Sequence, residues 1–282
     1  WSYYALDTTY PLDDVVHGRM ALSQAIEQAH PGVDTDHALW SPHQPARLAG
    51  GIHPKTGKRS TLINITGTLG QDDQGRNQIV RVVVDRDQSP FTSSKTPCLG
   101  FCQGHLGEVH FDNCRVPKEN RLGSVGDAAR VLTLTWLANR PLFGLMAVNM
   151  AQRALDAALA YAGDRMQFGK AIGNYQLVQE LLADIETSIE TSRLICYRAL
   201  AAIDAGERAN GLSAQAKRYA LAACQRAISM AMEVHGSMGI SRELGLEQLF
   251  RDVRMLPIPD GTNQILTLIQ GRELTGVSAF RH

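Results

Sequence analysis

The chain has 282 residues and a formal net charge of zero, with 28 Lys and Arg against 28 Asp and Glu. This length allows one large domain or two smaller ones, and 44% hydrophobic residues are sufficient for a core. The interspersed charges exclude the basic stripe that a nucleic-acid partner requires, and no window approaches the roughly 18 uninterrupted apolar residues of a membrane span. We therefore expect neither nucleic acid nor a membrane as a partner.

The cysteines indicate a reducing environment. Their number is odd and no two of them form a CxxC pair, which suits single thiols better than a disulfide framework. The first residues lack the cationic and then apolar order of a signal peptide. We expect a cytoplasmic location. The five cysteines are Cys98, Cys102, Cys114, Cys196 and Cys224.

Two segments with different sequence patterns precede residue 123. Residues 1–39 form a short N-terminal remnant with one predicted helix near residues 14–28, where apolar residues recur at helical spacing. Residues 40–122 carry short β-type runs separated by Gly- and Asp-containing turns, which predicts a small antiparallel β-domain. The predicted strands are residues 61–65, 79–84 and 108–111.

Residues 123–282 have the apolar periodicity that is typical of helices. Their apolar-periodic segments are rich in alanine, which lets neighbouring helix axes approach closely, as in a four-helix bundle. Pro141 should kink the first segment or restart it after Arg140. The predicted fold is therefore α+β, a small antiparallel β-domain followed by a C-terminal four-helix bundle. The predicted helices are residues 128–162, 176–205, 212–234 and 244–255.

Several short motifs follow one another along the helical part in a distinctive order. Arg165 opens the segment RMQFG, and Gln176 follows it seven residues after Gly169. Further on come VHGSMG at 234–239, the pair Arg251 and Asp252, and PDGTNQ at 259–264. These motifs resemble the C-terminal helical domain of the acyl-CoA dehydrogenase family, and the resemblance runs from about residue 76 to residue 280. It implies an FAD-dependent oxidoreductase that acts on an acyl or acyl-CoA thioester.

Asp260 is the candidate catalytic base. By local sequence alone, Pro-Asp-Gly ahead of an apolar-periodic segment is a common turn, and its Asp is often a helix cap. In the family, the matching position is usually Glu, the base that removes the α-proton of the thioester. An Asp keeps the carboxylate but shortens its reach by one methylene. Arg140 matches a family position that is commonly Arg and could orient the base loop, although an ion pair at a helix end explains it equally well.

A first cofactor-binding group comprises Arg165, Gln167, Phe168 and Gln176. The resemblance implies that this segment reaches across a dimer interface to the pyrophosphate and adenosine of FAD on the neighbouring subunit. An Arg suits a pyrophosphate because its planar fork can donate to two oxygens at once. The alternative is an Arg at a helix C-terminus, stabilised by the macrodipole, with Gly169 as the stop signal.

The resemblance implies a second cofactor-binding group further along the chain. Glu233 stands where a Gln usually contacts the adenosine portion, and Gly236 and Gly239 would allow a close backbone approach, although a helix C-cap explains Gly236 as well. Thr262 and Gln264 match residues that contact the flavin and its ribityl or adenosine portion.

The chain departs from the family pattern upstream. Trp40 and Ser41 resemble a Trp-containing element that holds the flavin ring, but Pro42 stands where the family has a hydroxyl and has no N–H to donate. The preceding Gly-Ser-Asp type of loop has no equivalent, and a helical domain of well over a hundred residues is reduced to residues 1–39. We therefore expect an N-terminally truncated member. Isolated histidines such as His105 and His110 lack acidic partners at ligand spacing, so we expect no metal.

Three functions remain open on the sequence. The first is an FAD-dependent acyl-CoA dehydrogenase-like oxidoreductase with Asp260 as its base. The second is a flavin-free isomerase, cyclase or lyase that reuses the fold and Asp260 for proton transfer. The third is a non-catalytic subunit of a hetero-oligomeric dehydrogenase, in which Arg165 completes the partner's FAD site. By resemblance we expect a homodimer or homotetramer assembled through bundle helices.

Overall fold

A computed structural model describes residues 63–71, 77–102 and 106–279, with the backbone alone described at 63–71, 77–79 and 129. The predicted helix near residues 14–28 and the candidate residues Trp40 and Ser41 lie outside the described residues. The described chain divides into two compact units. Residues up to 97 together with 106–135 form the first unit, and residues 98–102 together with 136–279 form the second.

The first unit contains an antiparallel three-stranded sheet and an antiparallel two-stranded one, in keeping with the predicted antiparallel β-domain, although the strands at residues 92–95 and 121–122 were not predicted. The larger sheet has the order β1-β2-β5, with a register irregularity in β1 between Thr66 and Thr68. Val80 and Val84 of β2 are buried, in keeping with the preference of β-branched residues for a half-buried sheet face. The strands are β1 (Ile63–Gln71), β2 (Asn77–Val84), β3 (Thr92–Lys95), β4 (Gly107–His110) and β5 (Arg121–Leu122).

The predicted helical part is confirmed, with each of the four predicted helices ending within two residues of its predicted bounds. A short fifth helix follows, and a small hairpin of β6 (Met166–Gln167) and β7 (Lys170–Ala171) connects the first two helices. The helices are α1 (Ala128–Asp164), α2 (Gln176–Asp204), α3 (Asn210–His235), α4 (Leu246–Met255) and α5 (Asn263–Thr275).

Small side chains form the helix contacts of the second unit. A Cβ atom at Gly144 of α1 would collide with the sulfur of Cys196 on α2 and would lie 3.2 Å from the Cβ atom of Ala220 on α3. The first three helices therefore pack closely against each other around Gly144. Fully buried alanines recur at spacings of three, four or seven residues along α1 and α3, which place them on one helix face. They are Ala147, Ala151, Ala154 and Ala158 in α1, and Ala216, Ala220, Ala227 and Ala231 in α3.

Residues 130–164 of α1 are long and apolar enough, by length and composition alone, to cross a membrane. The core helix of a soluble protein passes the same test, so this property is weak support for a membrane span. In this chain the helix carries the buried Arg140 and a polar contact to α2, in which Gln152 accepts a hydrogen bond from Arg193 at 3.0 Å. Those features suit packing inside the bundle.

Pro141 does not restart the first helix, so that alternative of the prediction is wrong. Helix α1 is continuous through Pro141, although a proline has no N–H to donate to the carbonyl four residues earlier. That carbonyl belongs to Leu137, and it accepts a hydrogen bond of 2.7 Å from the hydroxyl of Ser213 on α3. Ser213 is fully buried. The Ser213 side chain thus donates to the carbonyl that Pro141 leaves without an N–H donor. Pro141 is the residue after Arg140.

Candidate active site

The loop between α4 and α5 presents Asp260 in an unusual backbone conformation. Asp260 has a φ of 54° and Gly261 a φ of 101°, so two successive residues are left-handed. Asp is among the few residues other than Gly that adopt this conformation without a large penalty. The side chain of Asp260 is half-buried, and α5 begins three residues later at Asn263. The Pro-Asp-Gly turn predicted from sequence is therefore present.

Two buried cations hold this loop by its backbone. The guanidinium Nε of Arg140, on α1, donates a 3.2 Å hydrogen bond to the carbonyl oxygen of Asp260. The ammonium of Lys217, on α3, donates to the carbonyl oxygens of Pro259 and, at 2.8 Å, of Gly261. Three successive carbonyl groups thus accept hydrogen bonds from two helices of the bundle. Hydrogen bonds from charged donors are stronger than those between neutral groups, so this clamp fixes the backbone of Asp260 firmly.

The surroundings of the clamp perturb both cations. Lys217 is fully buried, and burial lowers its pKa to about 8 while the Asp260 carboxylate opposes the shift. Burial also lowers the pKa of Arg140, again with Asp260 acting in the opposite direction. The Lys217 ammonium lies 5.4 Å from the ring centre of Phe143, a distance at which the aromatic face attracts a cation. A buried lysine whose pKa is strongly lowered, close to a carboxylate and a second buried cation, is characteristic of functional sites.

Lys217 is the residue of this site that the sequence reasoning missed. One signal could have found it, because Lys217 lies on the alanine-rich face of α3, four residues after Ser213 and three before Ala220. A lysine is seldom fully buried unless its charge is compensated. A lysine at core spacing therefore predicts a specific partner, although the sequence does not say which one.

The first group of predicted cofactor-binding residues lies together around the β6–β7 hairpin. Arg165 directly precedes β6, and the side chain of Phe168 at the hairpin tip is 91% exposed. The backbone carbonyl of Gln167 accepts a 2.9 Å hydrogen bond from the hydroxyl of Tyr175, the residue before Gln176 at the start of α2. All four predicted residues are exposed. Exposed Arg, aromatic and amide side chains are therefore available at this hairpin to a partner or ligand.

The second predicted group is placed by local structure at two helix ends. Glu233 is exposed near the end of α3, and Gly236 caps that helix with a φ of 57°. Gly239 is buried, and a Cβ atom there would collide with the backbone of Met232, so close packing alone requires this glycine. Thr262 is the N-cap of α5 and Gln264 is an exposed residue in its first turn.

The described residues offer no cluster of three metal-ligating side chains. His110 lies 3.6 Å from the carboxylate of Glu108 on the exposed strand β4, which is a surface contact. His105 lies outside the described residues.

A family model described as "Acyl-CoA dehydrogenase, C-terminal domain" matches residues 129–275, which include the whole loop clamp. The chain belongs to the acyl-CoA dehydrogenase family. A relative in Mycobacterium tuberculosis named "Probable acyl-CoA dehydrogenase" is 36% identical over 220 residues, covering 77% of this chain and 56% of the relative. The cyclohex-1-ene-1-carbonyl-CoA dehydrogenase of Geobacter metallireducens is 38% identical over 204 residues, covering 72% of this chain and 54% of that enzyme.

The fold agrees with the family. Butyryl-CoA dehydrogenase from Megasphaera elsdenii superposes with a TM-score of 0.69 and 28% sequence identity, over 73% of this chain and 54% of that enzyme. The chain thus spans about half the length of the acyl-CoA dehydrogenases that it matches. The relatives named here are dehydrogenases, so the flavin-free and non-catalytic alternatives gain no support from them.

Proposed function

We propose that this chain is an acyl-CoA dehydrogenase-like oxidoreductase in which Asp260 removes the α-proton of an acyl thioester. The observation that supports this role most strongly is the clamp on the loop of Asp260. A proton acceptor must lie within roughly 3 Å of the proton's parent atom, so its backbone must be fixed. Two buried cations that bond to three successive carbonyl groups do more than a simple turn or helix cap requires.

The proposed reaction forms a double bond between the α- and β-carbons of the acyl chain. The Asp260 carboxylate takes the α-proton, and the backbone N–H of Asp260 helps to polarise the thioester carbonyl. FAD, when bound, supplies the acceptor for the hydride that leaves the β-carbon. Arg140 and Lys217 hold the loop by its carbonyl groups, which leaves the N–H and the carboxylate of Asp260 available for these tasks.

The described residues suit the binding of FAD at the hairpin. The exposed guanidinium of Arg165 has no hydrogen-bond or ion-pair partner in the part of the chain that the structure describes. It precedes an aromatic side chain that is 91% exposed, at Phe168. An unpaired guanidinium beside an exposed ring fits a group that combines a pyrophosphate with an adenine. Gln167 and Gln176 would add amide contacts, while Thr262 and Gln264 are assigned to the same cofactor by family position.

We further propose that the chain acts as a homodimer or homotetramer. An exposed hairpin that binds the cofactor of a neighbouring subunit requires a closed assembly, and cyclic dimers or dimers of dimers are the usual outcomes. The substrate class is an acyl-CoA or similar acyl thioester.

The absorption spectrum of the purified protein between about 350 and 500 nm tests this proposal, followed by anaerobic addition of acyl-CoA thioesters of different chain lengths. A bound flavin whose absorption is bleached by one of these thioesters, with the enoyl product found by mass spectrometry, is the expected result. Protein that was saturated with added FAD, yet neither bleached nor formed an enoyl product with any thioester, would refute the proposed dehydrogenase activity.

A further inference from the structure

The ammonium of Lys217 holds the backbone on both sides of the proposed base. It donates to the carbonyl oxygen of Pro259, the residue before Asp260, and to that of Gly261, the residue after it. The carbonyl of Asp260 itself is bonded to Arg140. A rotation of the Asp260 peptide groups would therefore break hydrogen bonds to a charged donor on one or both sides.

Burial of the Lys217 ammonium destabilises the fold, which indicates that the loop conformation it holds is needed for function. An ammonium removed from water is unfavourable, and a hydrophobic side chain in its place would not carry that cost. The loop conformation is itself uncommon, because Asp260, a non-glycine residue in the left-handed region, is followed directly by a second left-handed residue. Such conformations persist only when surrounding contacts determine them.

We propose that Lys217 is a positioning residue for the reaction of Asp260, which it serves by fixing the peptide groups on either side of that residue. The proposal rests on the function proposed above. Lys217 contacts the backbone of the loop and is fully buried, so it acts through Asp260 rather than on the substrate.

The charge of Lys217 should make the rate depend on pH. The charged groups that act on it are the Asp260 carboxylate, which raises its pKa, and the Arg140 guanidinium, which lowers it, while burial has the largest effect and brings the pKa to about 8. Above that pH the ammonium becomes an amine, which is a weaker donor to the two carbonyl groups. The turnover number should then fall on the alkaline side with an apparent pKa near that of Lys217.

The kinetic test compares the full chain, saturated with FAD, with Lys217→Met. We expect kcat to fall about 10²-fold, the typical cost of a small misplacement of a reacting group, with little change in KM or flavin content. Lys217→Arg keeps its charge throughout the range and should lose the alkaline decline. Arg226→Met is the matched control, because Arg226 is an exposed cation on the same helix whose ion pair with Asp184, at 3.9 Å, contributes little. It should retain wild-type kinetics.

Hydrogen exchange supplies a second readout that needs no substrate. Amide exchange measured by mass spectrometry in a peptide covering residues 256–264 should speed up in Lys217→Met and stay at the wild-type rate in Arg226→Met. If the Met variant does not fold, Lys217→Gln, which keeps an uncharged amide donor group, must show both the lower kcat and the faster exchange. If Lys217→Met exchanges faster but the wild-type protein dehydrogenates no acyl thioester, the proposed function is refuted while the loop clamp is supported. Unchanged exchange, or an unchanged kcat in an active enzyme, would refute the positioning role.

Discussion

The burial of the Lys217 charge should make the free energy of unfolding depend on pH. Its pKa is about 8 in the folded protein, against 10.5 for an ordinary lysine, so between these values the unfolded chain binds more protons than the folded one. Stability rises with pH wherever the unfolded state binds more protons. Relative to Lys217→Met, the free energy of unfolding of the wild type should therefore increase between pH 7 and pH 10. The linkage relation gives an increase of about 2.5 kcal/mol over that range.

Urea unfolding followed by circular dichroism measures this difference, at one fixed concentration of added FAD. The Met variant also loses two hydrogen bonds to carbonyl groups, but any change in their strength with protonation is already contained in the folded-state pKa of Lys217, so the expected slope with pH is unaffected. Arg226→Met, which removes an exposed cation from the same helix, should show the same pH dependence as the wild type. If the free energy of unfolding of the wild type, relative to that of Lys217→Met, stayed constant or fell as the pH rose, the burial of a charged Lys217 would be contradicted.

Three further outcomes are expected. Ser213→Ala should lower the free energy of unfolding by about 1 to 3 kcal/mol, because it leaves the part-buried carbonyl of Leu137 without a donor. Ser188→Ala removes a hydroxyl that bonds within an exposed turn of α2 and should cost far less, and equal costs would show that Ser213 does not compensate for the proline. Arg165→Ala should weaken FAD binding to apo-protein by about 1.5 to 3 kcal/mol in a fluorescence titration, and unchanged affinity would make the hairpin structural only. Sedimentation at micromolar concentration should show a dimer or tetramer, whereas a monomer would remove the proposed role of the hairpin between subunits.

The helices could be predicted from the sequence because local sequence signals determine where they begin and end. The apolar periodicity and the glycines between segments predicted helices α1 to α4 to within two residues. The effect of Pro141 was not accessible, because the group that compensates for it, the hydroxyl of Ser213, is 76 residues from Leu137 in the sequence. A proline rule that considers only the proline's own helix cannot include such a donor.

The candidate site was predictable only in part, for a related reason. Asp260 and Arg140 could be identified because a family motif contains them. The core spacing of Lys217 indicates a buried lysine with a specific partner, but its partners could not be predicted, because they are backbone carbonyl groups 42 and 44 residues away and every residue has such a group. Gly239 shows the reverse case, in which a motif position assigned to a cofactor has a packing reason of its own at Met232.

The role of Asp260 as the base is tested most directly by the rate of flavin reduction by an acyl-CoA substrate in Asp260→Asn, followed anaerobically in a stopped-flow instrument. Asn tolerates the left-handed conformation at φ 54° and has nearly the same shape as Asp, so the loop and the melting temperature should be preserved. It cannot accept the α-proton. We expect a rate about 10²- to 10⁴-fold below that of the wild type, the range for the loss of a positioned base. A wild-type rate of flavin reduction in Asp260→Asn would contradict this role.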